Sequence, residues 1–156
     1  MSIEDRTAVH VDEFLPYPPA RVWTALTDPD LLGRWLMPND FEQVVGHRFT
    51  MSAKPNPRTN FSGTVRCEVL ELCPEERLSI SWADASESDP WETMVTWTLR
   101  PEGRGTRLFL EHRGFDPDNP AHQLARTVLS GGWRTGTMRR IRAVLAEYTA
   151  KPNGGC

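Results

Sequence analysis

His112 closes the stretch TRLFLEHRGF, which otherwise alternates as a half-buried strand does. Thr106, Leu108 and Leu110 share one face, and the next position on that face is the imidazole. Facing a cavity, it could hydrogen-bond a ligand carbonyl or phenol, or act as a general acid or base with a pKa near 6.5 unless shifted. At a strand end it could equally be satisfied by a backbone carbonyl or water. Acid–base work wants a second polar group in the same space, and the sequence names none, so no catalytic residue is assigned. His10, His47 and His122 form no i, i+4 pair and have no CxxC beside them. His10 and Asp12 share a strand face, but two ligands do not make a metal site. Neither a metal nor a cofactor is expected.

Other reactive patterns are equally thin. Five residues separate Cys67 from Cys73, and neither has a neighbour that would activate a thiol. There is no G-x-S-x-G, and the GRG at 103–105 lacks the strand before it and the helix after it that a phosphate loop needs. Arg134, Arg139, Arg140 and Arg142, with Arg126 before them, form a basic patch on the last helix. Such a patch could hold an acidic partner or a ligand's carboxylate, or be the solvated face of an amphipathic helix. Asp84, Glu87 and Asp89 are its acidic counterpart.

The elements that must position these groups follow from periodicity. TAVHVDEFL predicts a first strand. YPPARVWTALTD predicts a helix entered through its prolines, with Val22, Trp23 and Leu26 on one stripe. A second short helix starts at Asp28 as N-cap, with Pro29 in its first position, and stops at Pro38. From Phe41 to Gly114 the period becomes two, as in antiparallel strands with one apolar face. Phe49 and Met51 alternate, as do Val65, Cys67 and Val69. A phase shift then puts Leu70 and Leu72 on the other face, which predicts a bulge. Leu78, Ile80 and Trp82 follow, then Val95, Trp97 and Leu99, and PEGRGT is a hairpin connection. The last stretch predicts a long helix from Ala121, with Gly131, Gly132 and Gly136 marking a break before Trp133 or a close approach to that backbone. One apolar sheet face and one apolar helix face bury each other best if a strongly curved antiparallel sheet wraps the helix, an α+β arrangement that leaves room for a cavity.

Composition bounds the function classes. With 156 residues, a 7-residue tail, a single domain over 8–150 and a disordered tail over 151–156 are expected. A net charge of −3 and a pI near 5.8 provide no global field for nucleic acid. Three cysteines, one of them Cys156 in a Gly-Gly-Cys tail, argue against a disulfide framework and for a reducing cytoplasm. MSIEDRTAVHV has no basic and apolar blocks of a signal peptide, and no apolar run is long enough for a membrane span.

YPPARVWTALTDPDLLGRWL, LSISW, GRGTRLFLEHRGF and GGWRTGTMRRIRAVL, in that order, resemble the heat-shock-protein ATPase activator homologue (AHSA-type) family. That family belongs to the START-related helix-grip superfamily, with polyketide cyclases and plant pollen allergens. The resemblance covers roughly residues 8 to 150 and implies the helix-grip fold. It also implies an apolar or amphipathic small-molecule ligand held between sheet and helix. Phe49, Met51, Val65, Trp82, Trp97, Leu110, His112 and Trp133 are the expected lining. On this view His112→Ala should alter ligand preference with little loss of fold. A cyclase or dehydratase using His112 is the enzymatic alternative. A chaperone-interaction domain, using the basic helix or the outer sheet face, is another, and a homodimer is a further partner to consider.

Overall fold

The computed structural model describes residues 5–59, 61–86 and 91–149. Glu87, Asp89 and the tail 151–156 lie outside them. Six strands form one antiparallel sheet: β1 (Ala8–Leu15), β2 (Arg48–Ser52), β3 (Thr64–Cys73), β4 (Arg77–Asp84), β5 (Thr93–Glu102) and β6 (Gly105–Arg113). Their order is β1-β6-β5-β4-β3-β2, so the first strand pairs with the last and β2 takes the far edge. The chain crosses between those edges through α1 (Pro19–Thr27) and α2 (Pro29–Trp35). The sheet is open and curved, and the C-terminal helical segment packs across its concave side. This is the helix-grip fold.

Local signals account for the element ends. The Asp28 carboxylate accepts from the backbone N–H groups of Asp30 and Leu31 at 2.9 and 3.3 Å, satisfying donors that α2's first turn leaves open. In β3 the register slips between Val69 and Glu71, the expected bulge, and Leu70 is left 41% exposed. Between β5 and β6 the chain turns at Gly103, and Gly105 then passes tightly under β1. A Cβ there would stand 2.6 Å from the Leu15 carbonyl oxygen and 2.6 Å from the Phe14 ring. Because backbone cannot step aside as a side-chain tip can, Gly105→Ala should cost about 1–3 kcal/mol in denaturant unfolding. An unchanged midpoint would contradict that contact.

At the C-terminus the helix does not break before Trp133; of the two expectations the close approach is met, by the Arg140 guanidinium over Gly136. α3 (Pro120–Gly131) runs into one π turn (Gly132–Gly136) and continues as α4 (Thr137–Thr149). The backbone N–H of Thr137 reaches back to the Gly132 carbonyl, and its hydroxyl donates to the carbonyls of Gly132 and Trp133 at 3.1 Å each. The widened turn absorbs one extra residue without ending the helix. Gly131 and Gly132 have helical φ and ψ, and Gly136 lies within the π turn: glycine weakens a helix but does not forbid it.

The two flanks of this turn differ. Trp133, Met138, Ile141, Val144 and Leu145 are buried in the main core, whereas α3 contains no fully buried residue. Its apolar face is only half covered, and that incomplete cover makes the cavity described next.

Candidate functional site

A cavity of about 600 Å3 separates α3 from one end of the sheet, where β3 begins and β4 ends. Val65, Trp82 and Thr93 supply the sheet wall, and Ala125, Leu129 and Trp133 the helix wall. Phe61 closes one side from the β2–β3 connection, with Leu36 and Met37 beyond α2, and Phe115 and Trp91 close the other. Sheet residues reach it because alternate positions face inward. The helix residues reach it because Ala125 and Leu129 lie one turn apart on one face. The walls are mainly apolar and aromatic, with a few polar groups at the rim. Pockets that hold small organic molecules have this character and this size.

Three of the eight residues expected to line such a cavity do so: Val65, Trp82 and Trp133. Phe49, Met51, Trp97, Leu110 and His112 do not line it and lie buried in the packed core. Phe49 packs edge-on to Phe41 at 5.3 Å and stacks on His47. Trp97 meets Trp35 and Trp133 edge-on at 6.3 and 5.9 Å, and its indole N–H is buried without a hydrogen-bond partner among the described residues. The difference has a simple cause. Strand alternation tells which face a side chain takes, but not whether the space opposite is filled.

His112 stands directly behind the cavity wall, ringed by Trp82 at 5.3 Å, Phe115 at 5.0 Å and Trp133 at 6.1 Å. Both ring nitrogens are occupied. The Trp133 indole donates to Nδ1 at 3.1 Å, and an indole can only donate, so Nδ1 is unprotonated. The neutral ring therefore carries its proton on Nε2, which donates to the Thr93 hydroxyl at 2.7 Å. That hydroxyl donates onward to the Trp82 carbonyl at 3.0 Å. Trp133, His112, Thr93 and Trp82 thus form one satisfied chain that ties the π turn to three strands. Burial pushes the imidazole pKa down to about 3. His112 offers the cavity neither a lone pair nor a proton, and a role in orienting ligand or in acid–base chemistry has no free atom to act through. With both nitrogens bonded inside the core, His112→Ala is expected to cost stability and not only to alter ligand preference.

The polar rim comes from residues that sequence periodicity passed over. His122, at the first turn of α3, accepts the Asp116 N–H on Nδ1 at 3.0 Å and stacks on Trp91 with ring centroids 3.6 Å apart. Asp84 accepts from the Ser62 N–H, the Ser86 N–H and the Ser86 hydroxyl at 2.7–2.9 Å. Partial burial raises its pKa, but those hydrogen bonds outweigh it and hold the carboxyl below its usual range. Arg140, from the basic patch, lies on the rim beside Leu36 and Met37. Only the half-apolar face of α3 could have signalled this side of the cavity in advance. Phe61, Trp91 and Phe115 lie outside the strands and helices, where no period marks them.

No group of three or more His, Cys, Asp or Glu among the described residues is arranged to hold a metal ion. Cys67 is buried, and desolvation with the nearby Asp40 charge pushes its thiol up to about 12, which leaves it inert. No helix in the described residues is long and apolar enough to cross a membrane.

With this geometry in place, the family is decided by one match. The model of the family described as activator of Hsp90 ATPase homolog 1-like protein matches residues 16–146. The chain belongs to this family. Among solved structures, protein MLL2253 from Mesorhizobium loti is 35% identical with a TM-score of 0.77, the match covering 90% of this chain and 97% of that one. Protein NE0264 from Nitrosomonas europaea shares the fold at 20% identity, with a TM-score of 0.74 and coverage of 95% and 99%. DynU16, from the dynemicin biosynthetic locus, shares it at 24% identity and a TM-score of 0.67. That match covers 94% of this chain but 48% of DynU16, so the chain spans about half the length of that protein. No curated protein matches the chain.

Proposed function

We propose that the protein binds an apolar or amphipathic small molecule in the cavity between α3 and the sheet. One observation carries this reading: α3 stands off the sheet over about 600 Å3 and presents an apolar face that the protein itself leaves half covered. An apolar surface of that kind is stabilised by whatever fills it, at about 25 cal/mol per Å2 removed from water. The indoles of Trp82 and Trp133 supply flat walls for a ring system, and the rim supplies polar groups that would meet a ligand's head. The enzymatic reading through His112 gains no support, because both of its nitrogens are already bonded. Neither a chaperone partner nor a homodimer enters the proposal, which rests on the interior alone.

Ala125→Trp tests it. The half-buried Ala125 faces the cavity, so an indole there occupies ligand space without displacing packed core. Titration with a fluorescent apolar probe, followed by tryptophan quenching, should give saturable one-to-one binding to the wild type. Binding should weaken at least about tenfold in Ala125→Trp, with thermal stability held or raised as cavity filling usually does. Equal affinity in the two proteins would place the probe elsewhere and remove the basis of the proposal.

A further inference from the structure

We infer that the cavity is built for an amphipathic acid: a ring-bearing molecule whose carboxylate is read at the rim by Arg140. This rests on the cavity reading above and narrows its ligand class. Arg140 is the only lysine or arginine among the described lining residues, and Asp84 the only carboxylate. Their states differ. The Asp84 oxygens are engaged by Ser62 and Ser86, so that acid is committed to its own loop. Arg140 uses one donor: its Nε–H bonds the Trp35 carbonyl at 3.0 Å, at the C-terminal end of α2. No partner is found for either terminal nitrogen among the described residues.

Two features show that this guanidinium is placed and does not merely float. The bond to Trp35 fixes the plane of the group, since Nε–H points along one edge of the fork and leaves the opposite edge outward. Gly136, one turn earlier, provides the room. A Cβ there would stand 3.2 Å from the Arg140 Nη1, so the guanidinium lies over the bare backbone of the π turn. The resulting fork is anchored at its base by one hydrogen bond, exposed at its tip, and next to an apolar chamber. A planar fork of that kind matches a carboxylate through two parallel hydrogen bonds. The rest of such a ligand would lie inward, against Trp82, Trp133 and Leu129. The neighbouring arginines of the patch do not reach the cavity: Arg142 pairs with Glu13 at 3.1 Å, Arg134 donates its Nε–H to the Ser130 hydroxyl at 3.0 Å, and neither they nor Arg139 line it. With a net charge of −3, the protein's overall field opposes an anion, so selectivity for one would have to be local.

The experiment uses a matched pair of probes, 1-pyrenebutyrate and 1-pyrenebutanol, which share a ring system and differ in the acid. Energy transfer from tryptophan reports the affinity of each for the wild type, Arg140→Met and Arg140→Gln. The glutamine variant can still donate to the Trp35 carbonyl, which guards against a loss of fold. The acid-over-alcohol preference should drop by about tenfold in both variants, the size expected for one charge-assisted contact. Affinity for the alcohol should stay within about twofold of the wild type. An unchanged preference in the variants overturns the inference and leaves the cavity reading standing. So does an equal loss for both probes, which would make Arg140 part of the cavity's shape and not a reader of charge. If neither probe binds the wild type, the cavity reading fails and takes this inference with it.

Discussion

Replacing His112 with alanine is expected to lower the free energy of unfolding by about 3–5 kcal/mol, among the largest effects of any single side chain here. The ring is fully buried, so its removal leaves a void among Trp82, Phe115 and Trp133 that rigid indoles cannot close. It also strips the partner from the Trp133 indole N–H, and a buried donor without an acceptor costs about 1–3 kcal/mol. Thr93 loses its donor but keeps its bond to the Trp82 carbonyl, so that end suffers less. Denaturant unfolding by tryptophan fluorescence measures the change. His112→Gln should recover a good part of the loss, because an amide can accept from Trp133 and donate to Thr93 together. A cost below about 1 kcal/mol for the alanine variant would mean that the chain of hydrogen bonds contributes little to holding the π turn on the sheet.

The same ring should make the protein acid-labile through a specific window. Its folded pKa is about 3 and its unfolded value near 6.5, with burial as the cause. Between those values the unfolded chain binds a proton that the folded one refuses, so stability rises with pH in that range and falls on acidification. Protonating Nδ1 would also set a donor against the Trp133 N–H donor. Above pH 6.5 the ring is neutral in both states and contributes no slope. Below it the loss approaches about 1.4 kcal/mol per pH unit, roughly 3 kcal/mol by pH 4, and levels off only near the folded value. Every other titrating group of the chain is shared by the wild type and a His112 variant, so the useful quantity is a difference. Subtracting the stability curve of His112→Gln from that of the wild type should leave this slope alone. Parallel curves from pH 6.5 to 4 would show that His112 takes up its proton in the folded state.

Much of the fold was legible because its signals are local. Asp28 caps α2 as its sequence position predicted, since the donors it satisfies are two and three residues away. The bulge in β3 could be read from Leu70 and Leu72 leaving the phase of Val65 to Val69. The order of periods, one strand, two short helices, five strands and a helical end, left few ways to bury one sheet face and one helix face. The π turn was not legible in this way. Three glycines within six residues read as a break or a close approach without choosing between them, and the closure of the Gly132 carbonyl by Thr137 keeps the helix running.

For the site, the amino-acid sequence by itself determined which residues face inward: Val65, Trp82 and Trp133 on the cavity, but equally Phe49, Met51, Trp97, Leu110 and His112 in the core. A packed and a cavity-lining side chain satisfy the same alternation, because periodicity encodes direction and not distance. The tertiary structure alone decided which of them meet empty space, by holding α3 off the sheet while α4 packs tightly. It also decided that His112 spends both nitrogens on Trp133 and Thr93, partners 21 and 19 residues away in the chain, while Arg140 turns its Nε–H to the Trp35 carbonyl, 105 residues away. Hydrogen bonds across such separations depend on where whole elements come to rest, and no local pattern records that.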